Sequence, residues 1–190
     1  MLIKHRQPWH ITQNRVYGFT DVKTADTMQN DYTFYIDYEL KVGPPTDKNL
    51  YSKSIFVRPG MHYGLIMKPD IFKIAWEFWT DLDGEKKYYD VSYEVDEESF
   101  YDNYFVIVKH SVKQKTFTIS ITNKSIGVKK TLVQEYEGTL ADYTHAPFNF
   151  GIANFDTHIP REHMGYCEYE LHDVGLFTQL HSDISVLVMI

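Results

Sequence analysis

The sequence predicts an all-β chain folded as a two-layered antiparallel sandwich, on three observations. Between residues 32 and 122 apolar positions recur every second residue, segment after segment. That is the period of strands with one face in a core and one in water. Turn residues fill the gaps, as at Gly43-Pro44-Pro45 and Asp83-Gly84, and no stretch holds a helical period for more than a turn or two. At 190 residues such a sandwich suits one domain, read here as residues 1–183.

Residues 1–31 are polar with a few aromatics, and one short strand is expected at Arg15–Phe19. The first strong strand is Tyr32–Leu40, in which Phe34, Ile36, Tyr38 and Leu40 share one face and Tyr35, Asp37 and Glu39 the other. Pro44 and Pro45 end it, because proline withdraws a ladder donor and fixes φ. Strands follow near residues 52–58, 62–67 and 71–79, the last alternating Phe72, Ile74, Trp76 and Phe78 with Lys73, Ala75, Glu77 and Trp79. Asp83-Gly84 favours the positive φ values of a hairpin, and Tyr89, Val91, Tyr93 and Val95 alternate beyond it.

Asp96-Glu97-Glu98 then leads into the strand Tyr104–Lys109. Its hairpin partner alternates most cleanly, with Phe117, Ile119 and Ile121 inward and Thr116, Thr118, Ser120 and Thr122 outward. Residues 126–145 read as a loop, and strands at 147–152 and 165–178 close the domain. The apolar run Ile184–Ile190 reads either as a terminal strand, paired into the sheet or a neighbouring subunit, or as the start of a truncated following segment.

Composition narrows the function. With 43% hydrophobic and 16% aromatic residues the chain builds a real core, and its 15 Tyr, 12 Phe and 3 Trp exceed what an interior needs, so some tyrosines are expected at the surface. A net charge of −7 argues against nucleic acid and anionic membranes, whose binding needs clustered Lys and Arg. Cys167 is the only cysteine, which excludes an intrachain disulfide. No secretory signal or stretch of about 20 apolar residues is present, so the expectation is a soluble protein, cytoplasmic or virion-associated.

Three segments carry a resemblance. The strands from Tyr104 to Thr122, ending in Asn123-Lys124, resemble the central hairpin of laminin-G-like domains in the concanavalin A-like lectin/glucanase superfamily, where Asn-Gly-Lys recurs; the glycine is missing here. Pro147-Phe148-Asn149-Phe150-Gly151 is similar to that family's apolar-x-apolar-Gly strand. Glu170–Phe177 resembles its closing strand, and Leu171 and Val174, three apart, break the period as a bulge requires. The resemblance spans residues 14–178 and implies a jelly-roll sandwich of concanavalin A-like type. That superfamily includes sugar-binding modules, glycan hydrolases and lyases, adhesion modules and viral structural domains, so the fold does not choose among them.

Sugar recognition needs an aromatic plate beside groups that bond hydroxyls. Trp79 is the leading candidate, opposite in parity to Trp76 and next to Asp81 and Asp83; Tyr35 and Tyr88 also lie on polar-alternating faces. Calcium needs six to eight oxygen ligands. Asp96, Glu97, Glu98 and Asp102 form the densest acidic loop, with Asn154 and Asp156 in a second. The carboxylate pairs Asp37/Glu39, Asp90/Glu94 and Glu168/Glu170, the last followed by Asp173, read as solvated strand faces rather than a catalytic dyad. His145, His158 and His163 lack zinc spacing, and Cys167 lacks an activating base.

The sequence thus points to a non-catalytic module that binds a carbohydrate, requires no cofactor and admits calcium. A structural protein, such as a phage or virus decoration or fibre component packed against other subunits or its own copies, is the alternative. A glycan hydrolase or lyase comes third.

Overall fold

Hairpins of consecutive strands and pairings between strands distant in sequence together build the two sheets. The computed structural model describes residues 3–5, 9–11, 17–19, 27–42, 53–58, 63–68, 72–142, 148–150 and 168–181. Fourteen strands lie among them: β1 (Ile3–His5), β2 (Trp9–Ile11), β3 (Tyr17–Phe19), β4 (Tyr32–Val42), β5 (Lys53–Arg58), β6 (Tyr63–Lys68) and β7 (Lys73–Leu82) come first. β8 (Glu85–Glu94), β9 (Asn103–Ser111), β10 (Thr116–Asn123), β11 (Val128–Glu135), β12 (Thr139–Leu140), β13 (Phe148–Phe150) and β14 (Glu168–Phe177) follow.

In the first sheet the order is β1-β14-β4-β9-β10-β11, with β2 beside β14 as well. β4 runs the length of β14, so β1 and β2 share β14's other side, at Val174–Leu176 and Tyr169–Leu171. The second sheet runs β12-β7-β6-β5-β13-β3, with β8 along the other side of β7. Every pairing among the described strands is antiparallel, so the chain is an all-β sandwich of jelly-roll type.

Strand period decides which side chains meet between the sheets. Phe34, Ile36 and Tyr38 of β4, Val106 and Val108 of β9, and Phe117 and Ile119 of β10 face Leu65 and Met67 of β6 and Ile74, Trp76 and Phe78 of β7 in one buried cluster. Tyrosine hydroxyls cross that core. Tyr169 donates to the Ile55 carbonyl at 2.6 Å, Tyr63 to the Met28 carbonyl at 2.8 Å, and Tyr38 to Met67 Sδ at 3.2 Å. His110 is fully buried, its Nδ1 2.7 Å from the Asn30 carbonyl and its Nε2 2.9 Å from the Tyr136 hydroxyl.

The expected strands from 32 to 122 are present, as are the bulge, seen as a register shift between Leu171 and Asp173, and the two-residue turn at Asp83-Gly84, with φ of 55° and 86°. Two expectations need correction. Residues 126–145 are not a loop throughout, since β11 and β12 lie there. β11 turns Val128, Lys130, Leu132 and Gln134 toward the inner side, and of these only Leu132 packs on the core, so pairing with β10 holds it instead of apolar alternation. Residues 1–31 hold β1 and β2 besides β3, and three residues are too few to display a period. Among the described tyrosines, Tyr88 and Tyr101 are at the surface as expected, while Tyr32, Tyr35, Tyr38, Tyr63, Tyr104 and Tyr169 are buried, each carrying a hydrogen-bonded hydroxyl. Ile184–Ile190, Cys167, Asn154, Asp156, His145, His158 and His163 lie outside the described residues.

Candidate functional site

On the second sheet the face turned away from the core grades from buried to open along β7. Ala75 is buried and Glu77 is 1% exposed, Trp79 is half-buried against the core margin, and Tyr88 of β8 is 38% exposed. The hairpin register sets Tyr88 directly opposite Trp79 and Asp90 opposite Glu77. The Trp79 and Tyr88 rings lie 5.0 Å apart at 47°, an aromatic cross-strand pair of the kind that stabilises a sheet face. Lys68 of β6 reaches across and closes ion pairs with Glu77 at 2.7 Å and with Asp90.

This network sets the protonation of the face. Burial first, then the hydrogen bond to Glu77 and the charges of Glu77 and Asp90, push the Tyr88 hydroxyl well above the ordinary phenol range. Burial pulls the Lys68 ammonium down, but hydrogen bonds to Asp90 and Glu77 outweigh it and leave it raised. The face therefore presents a neutral phenol on an aromatic pair, edged by the exposed Asp90 carboxylate and the Lys68 ammonium that ties it to the buried Glu77. Such a set stacks against an apolar ring face and bonds hydroxyls.

The other residues singled out in the sequence fall elsewhere or serve the turn. Asp81 accepts a hydrogen bond from Gly84 N at 2.9 Å through Oδ1, and Asp83 supplies the first positive φ of the hairpin turn. Tyr35 lies on the first sheet, 1% exposed, packed against Phe105 and Phe177 with its hydroxyl donating to Asp173 Oδ2 at 3.1 Å. Its ring covers Gly175, the residue opposite it on β14, where a Cβ would meet Tyr35 Cε1 at 2.3 Å. In the acidic segment, Glu98 opens a 3₁₀ turn over Glu98–Tyr101, Asp96 accepts from Ser99 N through its carbonyl, and Asp102 Oδ2 accepts from Asn123 Nδ2 at 2.7 Å. Among the described residues no three His, Cys, Asp or Glu side chains gather as a metal set.

One polar cluster escaped the sequence reading. The register of β14 on β4 sets Glu170 opposite Glu39 and Asp173 opposite Asp37, and β9 brings Asn103 opposite Glu39. Lys124 pairs with Asp37 at 2.7 Å, Lys41 with Glu39 at 2.8 Å and Glu170 at 3.5 Å, and His172 stands 3.8 Å from both glutamates. Asp37 Oδ1, Asn103 Oδ1 and His172 Nε2 are buried there without a hydrogen-bond partner. The alternation places each carboxylate on an outer face, yet nothing in one strand's sequence names its neighbour. Among the described residues the rings on this face are Tyr35 and Phe177, both buried, and Phe105, partly buried against them.

No family model matches the chain, and no curated protein matches it in sequence. Solved structures match in fold. The chain is similar to the Ruminococcus gnavus IT-sialidase CBM40, with a TM-score of 0.63 and 12% identity over 100% of this chain and 98% of that one. A structure of that CBM40 bound to alpha2,3 sialyllactose matches with a TM-score of 0.61 and 13% identity over 98% of this chain and 97% of that one. The botulinum neurotoxin serotype C1 binding domain matches with a TM-score of 0.54 and 12% identity, over 92% of this chain but only 39% of its own. At these identities the likeness is one of fold: an all-β jelly-roll sandwich.

Proposed function

We propose that this chain is a non-catalytic carbohydrate-binding module whose ligand stacks on the Tyr88–Trp79 pair, within a sandwich of concanavalin A-like type. The single observation that carries this reading is the open Tyr88 ring, 38% exposed and seated on Trp79. Beside it on the same face the exposed Asp90, paired with Lys68, offers hydroxyl-bonding oxygens. A sugar ring has one C–H face and a rim of hydroxyls, and an aromatic plate edged by charged groups matches both parts. The CBM40 structures of the same fold support the class, one of them holding alpha2,3 sialyllactose.

A glycan array followed by calorimetry with alpha2,3 sialyllactose and with the array's best neutral glycan tests the reading. The wild type should bind at least one of them. Tyr88→Ala should weaken that binding at least tenfold while leaving the circular dichroism spectrum unchanged. A wild type that binds no glycan would sink the functional reading; binding indifferent to Tyr88→Ala would sink the site.

A further inference from the structure

β11 ends the first sheet, and among the described residues its only paired neighbour is β10. Open edges are ordinarily blunted by charge, a bulge, proline or a covering segment. This one has eight residues, no proline and no register shift against β10. It also displays apolar surface: Val133 is 65% exposed, and Ile126 in the preceding turn 61%.

The charges on this strand are ordered. Lys129 and Lys130 sit at its start, Glu135 at its end, and Leu132 in the middle. The ion pairs formed nearby, Lys87 with Glu137 and Lys124 with Asp37, use none of the three charged residues. An antiparallel copy of the same strand, centred on Leu132, reverses that order. Lys129 of one copy then stands opposite Glu135 of the other, twice by symmetry, and Lys130 opposite Gln134. Thr131 falls opposite Val133, so each exposed valine gains a neighbour on its open side to match Thr118 on the β10 side. Leu132, partly buried at the core margin, meets Leu132 across the axis. A two-fold, self-complementary contact of this kind closes after two copies.

We propose that β11 is a homodimer interface, pairing antiparallel with β11 of a second copy about Leu132 so that the first sheets of both join into one. The pairing satisfies the outward backbone groups of both edges, and the lysines that would repel a foreign edge become the register marks for this one.

Sedimentation of the full chain over a concentration series tests the proposal. The wild type should show a monomer–dimer equilibrium. Lys129→Glu, at an exposed position that leaves the fold intact, sets like charges opposite each other twice and should raise the dimer dissociation constant about tenfold or more. Adding Glu135→Lys to that variant should restore the dimer, since the charges are then exchanged rather than opposed. Deleting residues 184–190 should leave the dimer in place. A wild type that stays monomeric, a Lys129→Glu variant that dimerises unchanged, a double variant that stays monomeric, or a dimer lost on deletion of the tail would each overturn the proposal.

Discussion

His110 shows how burial sets the chemistry of one residue. It lies in the core, stacked on Phe117 at 4.4 Å, with both ring nitrogens engaged by the Asn30 carbonyl and the Tyr136 hydroxyl. Burial outweighs the Asn30 hydrogen bond and the charge of Asp31, and lowers its pKa from 6.5 to about 4. The unfolded chain therefore takes up a proton at His110 before the folded one does. Its contribution is fully present above pH 6.5 and falls as the pH drops toward 4, a loss on the order of 3 kcal/mol. Urea denaturation across that range should show the wild type weakening with acid, and a His110→Gln variant, which cannot titrate there, should lose that part of the slope. An unchanged slope would show that His110 is not held neutral in the folded protein.

At the scale of an element, the β7–β8 hairpin is made by its turn and kept by its outer face. Asp83 and Gly84 take the two positive φ values that let a two-residue connection follow the strand twist, and Asp81 caps the turn. Across the hairpin Glu77, 1% exposed, depends on Lys68 for its neutralising charge. Lys68→Met keeps the apolar stem and removes the ammonium, stranding a buried carboxylate, and should cost on the order of 3 kcal/mol. Adding Glu77→Gln should recover much of it. Chemical denaturation of the single and double variants measures the coupling, and strict additivity would mean that the pair does not hold the hairpin.

For the molecule as a whole, the two sheets are tied by polar contacts as well as apolar packing. Tyr169 of β14 in the first sheet donates to the Ile55 carbonyl of β5 in the second. Tyr169→Phe preserves the ring and its edge contact with Tyr38 but leaves that buried carbonyl without this donor, a cost of about 1–3 kcal/mol. The loss should appear in the single cooperative unfolding transition, by fluorescence and circular dichroism alike. A change confined to one probe would mean that the sheets unfold separately. Among the described residues no helix is long and apolar enough to cross a membrane.

What the sequence determined by itself was local and periodic. Phe34-x-Ile36-x-Tyr38 and Phe117-x-Ile119-x-Ile121 declare strands and their buried faces because side chains alternate every residue. Asp83-Gly84 declares a hairpin because few residues accept positive φ. The same reasoning placed Trp79 and Tyr88 on an outer face, where the register then joined them. Only the tertiary structure decided that Tyr35 is buried over Gly175, that β11 forms an edge strand, and that Glu39, Glu170 and His172 share a cluster. Each of these depends on which strand lies beside which, and strand pairing joins residues more than a hundred positions apart through backbone groups that are the same in every residue.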